Sequence, residues 1–430
     1  MRKLLTTVAV LLVVPSLSFG SGFALFETGT RSFAMAGAFV AVADDPSAIF
    51  WNPAGLAFQD DKGTQVMMGA ILIAPAQTFY GENPYPGEGY STEQKDQIFF
   101  PPHFQLVMPL GERTTFGFAV QVPFGLGTYW DDDHAGRYLS KRVDLYAYDL
   151  TPNLAIDLND NLALGVGADY RISTIDLTRN VPLLDPFTQQ VRDVAQAYIY
   201  TDGAGNDGWG WHAGLLAKLG AGFSAGLTYR SEVKVDYEGY AKFTQFSTGN
   251  PELDAIVAQN IPFGEIIEGT TEITFPDFWI AGLAWTGERF TVSAEWGRMG
   301  WSSFQELALI FTDYPQFNES IPELYEDADQ YRLGFEWRAS EHLALQLGTL
   351  FDETPQPPSS MTPLLGDGDR TSITCGLSWI KGRFRLDLGY EHLMMEDRST
   401  WDDEGGSLSG YNGHYESSAE LAGASMTFTF

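Results

Sequence analysis

"FTVSAEWG", residues 290–297, is the stretch that decides the fold of this 430-residue chain. Its apolar side chains, such as Phe290 and Trp296, fall on one face of an extended segment, and the small or charged residues between them fall on the other. The stretch "YRLGFEWR", residues 331–338, repeats the pattern. A period of two is typical of a strand with one apolar and one polar face.

Short turns and long polar insertions separate such strands in strict alternation. The turns contain Gly, Asn or Asp, or other small and charged residues, and lie at 111–114, 159–161, 220–222, 286–289, 339–342 and 381–383. The insertions lie near 80–97, 125–142, 178–207, 247–270, 302–328, 353–369 and 397–413. This asymmetry predicts an all-β protein, a transmembrane antiparallel β-barrel of about 14 strands with short periplasmic turns and long external loops.

The apolar faces of the strands end in aromatic residues, as the membrane girdles of such barrels do. These residues include Trp296, Trp337, Trp379 and Tyr390. The alternative, a soluble β-sandwich, does not require such girdles. The chain ends on Phe430, and a terminal aromatic residue resembles the signal read by the outer-membrane insertion machinery, which is therefore an expected partner.

The first 20 residues have the pattern of a secretory signal peptide. Arg2 and Lys3 precede an apolar run at 4–17, and a small-x-small cleavage site ends at Gly20. A membrane anchor is the alternative, but the run is shorter than the roughly 20 residues that a helical span needs. We therefore expect export through a cleaved signal peptide.

Charge and composition exclude several classes of function. Asp and Glu number 56 against 25 Lys and Arg, for a formal net charge of -31, so the chain is expected to repel nucleic acid. The single cysteine, Cys375, rules out an internal disulfide. Ser224 matches a nucleophile motif only at the start of a strand, and the histidines show no zinc-binding spacing. We expect no catalytic residue, no metal site and no cofactor.

Residues 21–61 precede the first strand and are rich in Ala and Gly. Every backbone group of the wall that faces lipid must be paired within the closed sheet, so this segment is not needed for the wall. A barrel of about 14 strands is wide enough to hold it. We expect three parts: a signal peptide at 1–20, a helical hatch inside the lumen at 21–61, and the barrel at 62–430.

The stretch "SGFALFETGTRSFAMAGAFVAVADDPSAIFWNPAGL", residues 21–56, resembles the N-terminal hatch of the FadL/TodX family of outer-membrane transporters of hydrophobic compounds. The family hatch contains an Asn-Pro-Ala motif, matched here by Asn52, Pro53 and Ala54. Further segments resemble family segments in the same order: "GWGWHAGLLAKL" (208–219), "LTYRSEVKVDYEG" (227–239), "MGWSSFQEL" (299–307) and "FDETPQPPSSMTPLLGDGDRTSITCGLSW" (351–379). The resemblance covers essentially the whole chain after the signal peptide.

The resemblance implies a passive channel of the bacterial outer membrane for long-chain fatty acids or hydrocarbons. The external loops would capture the substrate, the hatch would rearrange, and the substrate would leave through a lateral gap in the wall. The expected partners are the hydrophobic substrate, outer-membrane lipid and lipopolysaccharide, and the protein is expected to be a monomer.

Pro123, Phe124 and Gly125 interrupt the predicted strand "TTFGFAVQVPFGLGTYW", residues 114–130. Proline cannot donate to a ladder and glycine permits a bulge, so pairing with a neighbour is expected to fail there. In the family a kinked strand near this position forms the lateral opening, and the resemblance implies an opening at these three residues. The alternative is that Pro123 ends the strand before a loop.

Arg179 aligns with a basic residue near the internal ligand site of the family. The resemblance implies that it holds a ligand carboxylate in the lumen by charge-assisted hydrogen bonds; the alternative is a rim arginine paired with an acid. A second basic residue of the family has no clear match, because "YPQFNESIPELYEDAD", residues 314–329, is acidic. This difference leaves room for uncharged substrates.

Two of the long insertions, at 178–207 and 247–270, carry apolar residues at helical spacing, in the segments 191–200 and 251–261. The residues of this predicted loop groove are Val194, Tyr198, Leu253, Ile256 and Val257. Apolar helix faces outside a membrane are expected to form a groove for substrate. The alternative is that the two faces pack on each other.

Two other classes of function compete with the channel. An outer-membrane enzyme, such as a lipase-like barrel, would need a Ser, a His and an acid that converge at one strand end. A structural or adhesin barrel would not need a dedicated Asn-Pro-Ala hatch.

Overall fold

The computed structural model describes residues 22–186, 188–201 and 205–430, so the predicted signal peptide at 1–20 lies outside the described residues. Within them the strands are β1 (Gln65–Gly81), β2 (Ser91–Glu93), β3 (Pro102–Pro109), β4 (Thr114–Tyr129), β5 (Arg142–Asn159), β6 (Leu162–Leu184), β7 (Val191–Thr201), β8 (Asp207–Gly220), β9 (Phe223–Arg230), β10 (Val233–Gln245), β11 (Ile266–Phe275), β12 (Phe278–Thr286), β13 (Phe290–Met299), β14 (Glu306–Leu309), β15 (Glu319–Pro322), β16 (Ala328–Arg338), β17 (Leu343–Asp352), β18 (Arg370–Lys381), β19 (Phe384–Met395), β20 (Arg398–Ser399) and β21 (Gly413–Thr429).

Helices are short in the described part of the chain. They are α1 (Thr30–Phe33), α2 (Ala48–Trp51) and α3 (Pro251–Asn260), with 3-10 segments at Pro53–Lys62, Trp301–Ser303, Pro315–Phe317, Pro358–Ser360 and Thr400–Asp402. Within these residues, no helix has the length and apolar character that a membrane crossing requires.

The strands form a closed antiparallel barrel of 14 wall strands, which confirms the predicted fold class. β1 closes the ring because it pairs with both β3 and β21; its ladder with β21 runs from Gln65 opposite Thr429 to Gly81 opposite Gly413. Three wall strands are each interrupted into two parts: β7 and β8, β9 and β10, and β11 and β12. β14 and β15 form a separate hairpin in an outer loop.

Burial along the strands follows the predicted period of two. In β13, Val292 and Trp296 are exposed on the outer face, whereas Thr291, Ser293 and Glu295 are buried on the inner face. The lipid-facing surface is therefore apolar, and the polar residues point to the lumen, as an outer-membrane barrel requires.

The six predicted short turns are observed between consecutive wall strands. The predicted loop at 178–207 is partly wrong, because β6 continues to Leu184 and β7 occupies 191–201. β7 pairs with β6 on one side and with β10 on the other, so two ladders of backbone hydrogen bonds outweigh the helical spacing of its apolar residues. The predicted helix at 191–200 is therefore a strand.

The described hatch residues, from Gly22 onward, lie inside the barrel. Phe39, Trp51 and Leu56 are fully buried there. Glycines on the inner face of the wall give this segment room, because a Cβ on each would meet a hatch atom at 2.9 Å or less. These glycines are Gly117, Gly165, Gly214, Gly226, Gly282, Gly334, Gly348, Gly376 and Gly389. Because these wall residues have no side chain, the hatch packs directly against the backbone of the wall at these positions.

Buried charges fasten the hatch to the wall. Arg31 of α1 donates to Glu336 of β16 through Nε at 2.7 Å and Nη2 at 3.0 Å. The backbone N–H of Val40 donates to Oε2 of Glu295 at 2.6 Å. Buried polar groups are costly unless they are paired, so these contacts specify one position of the hatch.

Candidate functional site

The Asn-Pro-Ala motif lies where the hatch touches the wall. The amide of Asn52 donates to the carbonyls of Val40 and Leu215, both at 2.9 Å, and its Oδ1 accepts from the backbone N–H of Ala54 at 3.1 Å. Asn52 is fully buried. Its side chain therefore links two parts of the hatch to β8 and caps the 3-10 segment that begins at Pro53.

The wall ladder is incomplete around the middle of β4. β3 pairs with β4 only from Pro109 opposite Thr115 to Phe104 opposite Val120, because β3 begins at Pro102. On its other side β4 shifts register against β5 between Gln121 and Phe124. β4 nonetheless continues to Tyr129, so Pro123 interrupts the ladder and does not end the strand.

The hatch occupies the free edge of β4 at this point. The backbone N–H of Leu25 donates to the carbonyl of Pro123 at 2.8 Å, and the N–H of Gly125 donates to the carbonyl of Phe23 at 3.0 Å. Phe124 is buried between them and packs edge-on against Phe23, with ring centroids 6.1 Å apart. The predicted opening residues thus contact the N-terminal part of the hatch.

An irregular segment at 94–101, which we call the flap, lies between β1 and the free edge of β4. The backbone N–H of Lys95 donates to the carbonyl of Tyr129 at 2.7 Å, and Ile73 and Phe99 exchange backbone hydrogen bonds. Ile98 and Phe100 are 57% and 61% exposed on the outer surface. In this stretch the flap replaces a continuous wall strand.

Phe99 of the flap covers β4 through its ring. A Cβ placed on Gly127 would lie 2.2 Å from that ring, so only glycine allows the ring to rest there. Movement of the flap would therefore separate Phe99 from β4.

A cavity of about 380 Å³ lies between the hatch, the flap and β4. Hatch residues, the flap, β1, β4, β5 and the loop before β18 line it. Its lining includes Phe23 and Leu25 from the hatch, and also Ile98, Phe100 and Tyr148, which are exposed on the outside of the barrel. The cavity thus reaches from the lumen to residues on the membrane-facing surface.

Arg179 lies outside this cavity, near the extracellular mouth. Its guanidinium pairs with Glu319 of β15, and both residues line a second cavity of about 140 Å³ that is rich in serine side chains. This ion pair matches the alternative of a rim arginine. The carboxylate-binding role predicted for Arg179 remains a prediction.

The residues of the predicted loop groove do not form an open groove. Val194, Leu253 and Val257 are buried in one outer-loop cluster, in which β7 and α3 pack together with neighbouring loops. Tyr198 and Ile256 stay exposed, at 37% and 40%. The apolar residues at helical spacing in α3 are therefore satisfied by packing.

Two carboxyl groups in the outer loops lie in surroundings that disfavour ionisation. Burial raises the pKa of Glu323, between β15 and β16, to about 8. Burial also raises the pKa of Asp369, just before β18, to about 7, although the carboxylate accepts the backbone N–H of Thr354. The packing of these loops is therefore expected to depend on pH.

Sequence reasoning missed the flap and the contact of Phe23 and Leu25 with β4. The two prolines at 101 and 102 were a signal for the flap, because consecutive prolines cannot donate to a ladder. Ser224 donates to the carbonyl of Ala41 at 2.7 Å, so its hydroxyl serves the hatch contact. Among the described residues, no group of three or more His, Cys, Asp or Glu is placed to hold a metal ion.

Comparison with known proteins gives a consistent picture. Residues 11–430 match the family model described as outer membrane protein transport protein (OMPP1/FadL/TodX). A long-chain fatty acid transport protein from Escherichia coli O6:H1 is 26% identical over 456 residues, covering 100% of both chains. Two crystal structures share the fold at 19% identity. They are a Pseudomonas aeruginosa FadL homologue (TM-score 0.80, 95% of this chain and 100% of that one) and the Ralstonia pickettii toluene transporter TbuX (TM-score 0.69, 94% and 98%).

Proposed function

Because the chain belongs to the outer membrane protein transport family (OMPP1/FadL/TodX), we propose that it is a passive uptake channel for hydrophobic small molecules, the class that includes long-chain fatty acids and hydrocarbons. The observation that carries the proposal is the 380 Å³ cavity, which is lined both by hatch residues and by residues exposed on the outer surface of the barrel.

We propose that the substrate leaves sideways, between the flap and β4. A long apolar chain gains about 0.8 kcal/mol per CH₂ on leaving water, so release into the periplasm is steeply unfavourable and release into the bilayer is not. The incomplete ladder at Pro123, Phe124 and Gly125 supports this route, because moving the flap breaks few backbone hydrogen bonds.

We propose that the hatch closes the lumen to polar solutes and moves when substrate enters. The backbone bonds of Phe23 and Leu25 to β4 support this coupling, since a ligand that displaces the start of the hatch also frees the edge of β4. The concentration gradient then drives transport without an energy source.

We also propose partners for the barrel, namely the insertion machinery, outer-membrane lipid and lipopolysaccharide. Phe430 is 69% exposed at the end of the chain, where the insertion machinery is proposed to read it. Outer-membrane lipid and lipopolysaccharide surround the exposed apolar faces of the wall, and the protein is proposed to act as a monomer.

Uptake by whole cells tests the proposed function. Expression of the full chain in a strain without such a transporter should raise uptake of dodecanoate, dodecanol or dodecane severalfold, while entry of a small hydrophilic β-lactam stays unchanged. Increased entry of the β-lactam with no uptake of any apolar compound would contradict the proposal and indicate an open pore.

A further inference from the structure

The cavity between hatch and flap contains an ion pair that already has its partners. Arg370 donates through Nη2 to Oδ1 of Asp367 at 2.9 Å and also to the carbonyl of Gly22. Oδ2 of Asp367 accepts the backbone N–H of Gly22 at 2.9 Å and the hydroxyl of Thr354 at 2.6 Å. These four groups tie the start of the hatch to the loop before β18, and the two charges compensate each other.

Two polar atoms of residues that line the cavity lack a partner. Oε2 of Glu27 and Nε of Arg370 are both buried, and neither makes a hydrogen bond within the described residues. Glu27 also forms no ion pair there; Arg370 and Arg332 act on it at longer range. The lining therefore contains two residues that each have one hydrogen-bonding atom, an acceptor on Glu27 and a donor on Arg370, that no described residue pairs. Both atoms are shielded from solvent, so a ligand reaches them when it displaces the side chains that cover them.

The rest of the lining is mostly apolar and includes Leu25, Ile73, Phe99, Leu126, Leu393 and Leu421. In such surroundings an unpaired hydrogen-bonding group is costly, and a second like charge is costlier still. The charged residues of the lining are Glu27, Asp367 and Arg370, so the cavity carries one more negative charge than positive charges.

Three kinds of apolar ligand differ in how they meet these atoms. A fatty-acid anion places a second negative charge beside Glu27, and the charge of Arg370, the one cation of the lining, is already compensated by Asp367. A hydrocarbon leaves both Glu27 Oε2 and Arg370 Nε without a partner. A hydroxyl group is uncharged, can donate to the first atom and can accept from the second.

We propose that this cavity selects uncharged hydrophobic molecules that carry a hydroxyl group, the chemical class of long-chain alcohols, over fatty-acid anions and plain hydrocarbons. The proposal rests on the proposed uptake function and names its substrate class.

Competition for a bound ligand tests the proposal. The assay measures how tightly four compounds of one chain length displace a fluorescent hydrocarbon probe from the purified full-length protein at pH 8. The compounds are dodecanol, dodecanoate, dodecane and dodecylammonium. We expect dodecanol to bind about tenfold more tightly than dodecanoate or dodecane, the factor that corresponds to one hydrogen bond in an apolar site.

The variant Glu27→Gln removes the negative charge and retains an acceptor oxygen. It should bind dodecanoate about tenfold more tightly than the unchanged protein and dodecanol with similar affinity, so that the discrimination disappears. Glu112→Gln, in an exposed periplasmic turn, removes the same charge outside the cavity and is the matched control. Heat-modifiable migration in gels verifies that each variant is a folded barrel.

The possible outcomes distinguish a failure of the alcohol assignment from a failure of the proposed uptake function. Equal binding of alcohol, acid and hydrocarbon, or tighter binding of dodecylammonium than of dodecanol, would overturn the alcohol assignment and leave an uptake channel. An unchanged preference in Glu27→Gln would overturn the role of Glu27. Failure of the probe and of all four compounds to bind would overturn the uptake function itself.

Discussion

At the scale of single residues, Asn52 links the hatch to the wall through a single amide. It makes three hydrogen bonds in a fully buried position, and its loss leaves the carbonyls of Val40 and Leu215 without those donors. These contacts give the Asn-Pro-Ala motif a structural role in holding the hatch against the wall.

We predict that Asn52→Ala destabilises the hatch by about 2 to 3 kcal/mol, since a net hydrogen bond contributes about 1 kcal/mol and buried unpaired groups add to the loss. Ion conductance in planar bilayers should rise. Asn250→Ala, which removes an asparagine that caps α3 in an outer loop, should leave conductance unchanged. A variant as tight as the unchanged protein would contradict this role.

We predict that Arg179→Ala lowers uptake of dodecanoate and dodecane equally and only slightly. Glu319 already pairs with the guanidinium in a partly buried position, and ion pairs near the surface contribute roughly 0 to 1 kcal/mol. Parallel uptake assays with both compounds check this. A selective loss of dodecanoate uptake would instead support the carboxylate-binding role inferred from the family.

At the scale of elements, the wall has few backbone hydrogen bonds between the flap and β4. Between β1 and β21 backbone pairing runs along the whole strand, whereas the flap is held by a few isolated bonds and by the ring of Phe99.

We predict that Phe99→Ala speeds the uptake of apolar compounds severalfold, because the ring that rests on Gly127 is removed. Phe290→Ala is the matched control, since Phe290 is 41% exposed on the outer face of β13 and lies outside the cavity. Initial uptake rates in cells measure both variants. Equal rates for Phe99→Ala and the unchanged protein would show that the ring is no barrier.

The outer loops give a prediction about pH. The folded-state pKa of Glu323, about 8, lies above its ordinary value of 4.5, so the folded loop retains a proton that the unfolded loop releases. This contribution to stability is complete below pH 4.5 and is lost as the pH rises through 8. Asp369, with a pKa of about 7, acts in the same direction.

We therefore predict lower amide protection in the loop at 302–328 at pH 9 than at pH 5, measured by hydrogen exchange and corrected for intrinsic rates. Glu323→Gln should lose most of this dependence. Protection that is equal at both pH values, or an unchanged dependence in the variant, would contradict the assignment.

At the scale of the whole molecule, the barrel was predictable because its signals are local. Alternating side chains and short turns recur along the chain, and each wall strand from 290–299 onward could be located from its own residues. The position of Pro123 also predicted a fault in the ladder, and β4 shifts register against β5 between Gln121 and Phe124.

What the sequence did not predict depends on partners distant along the chain. β7 carries apolar residues at helical spacing and is a strand because β6 and β10 lie on either side. The bonds from Phe23 and Leu25 to β4 join residues about 100 positions apart and leave no local pattern. The pairing of Arg179 with Glu319 also joins residues that are distant along the chain and leaves no local pattern.

Substrate is proposed to leave the barrel between the flap and β4. Its most direct test places cysteines at Phe99 and Gly127 in a Cys375→Ser background and joins them with a short, reducible thiol cross-linker. Cysteines at Leu333 and Thr349, register partners in a part of the wall remote from the flap, form the control pair. We expect that cross-linking 99 to 127 stops uptake of apolar compounds, that a reductant restores it, and that the control pair has no effect. Undiminished uptake through the barrel cross-linked at 99 and 127 would contradict lateral exit and indicate a path through the hatch.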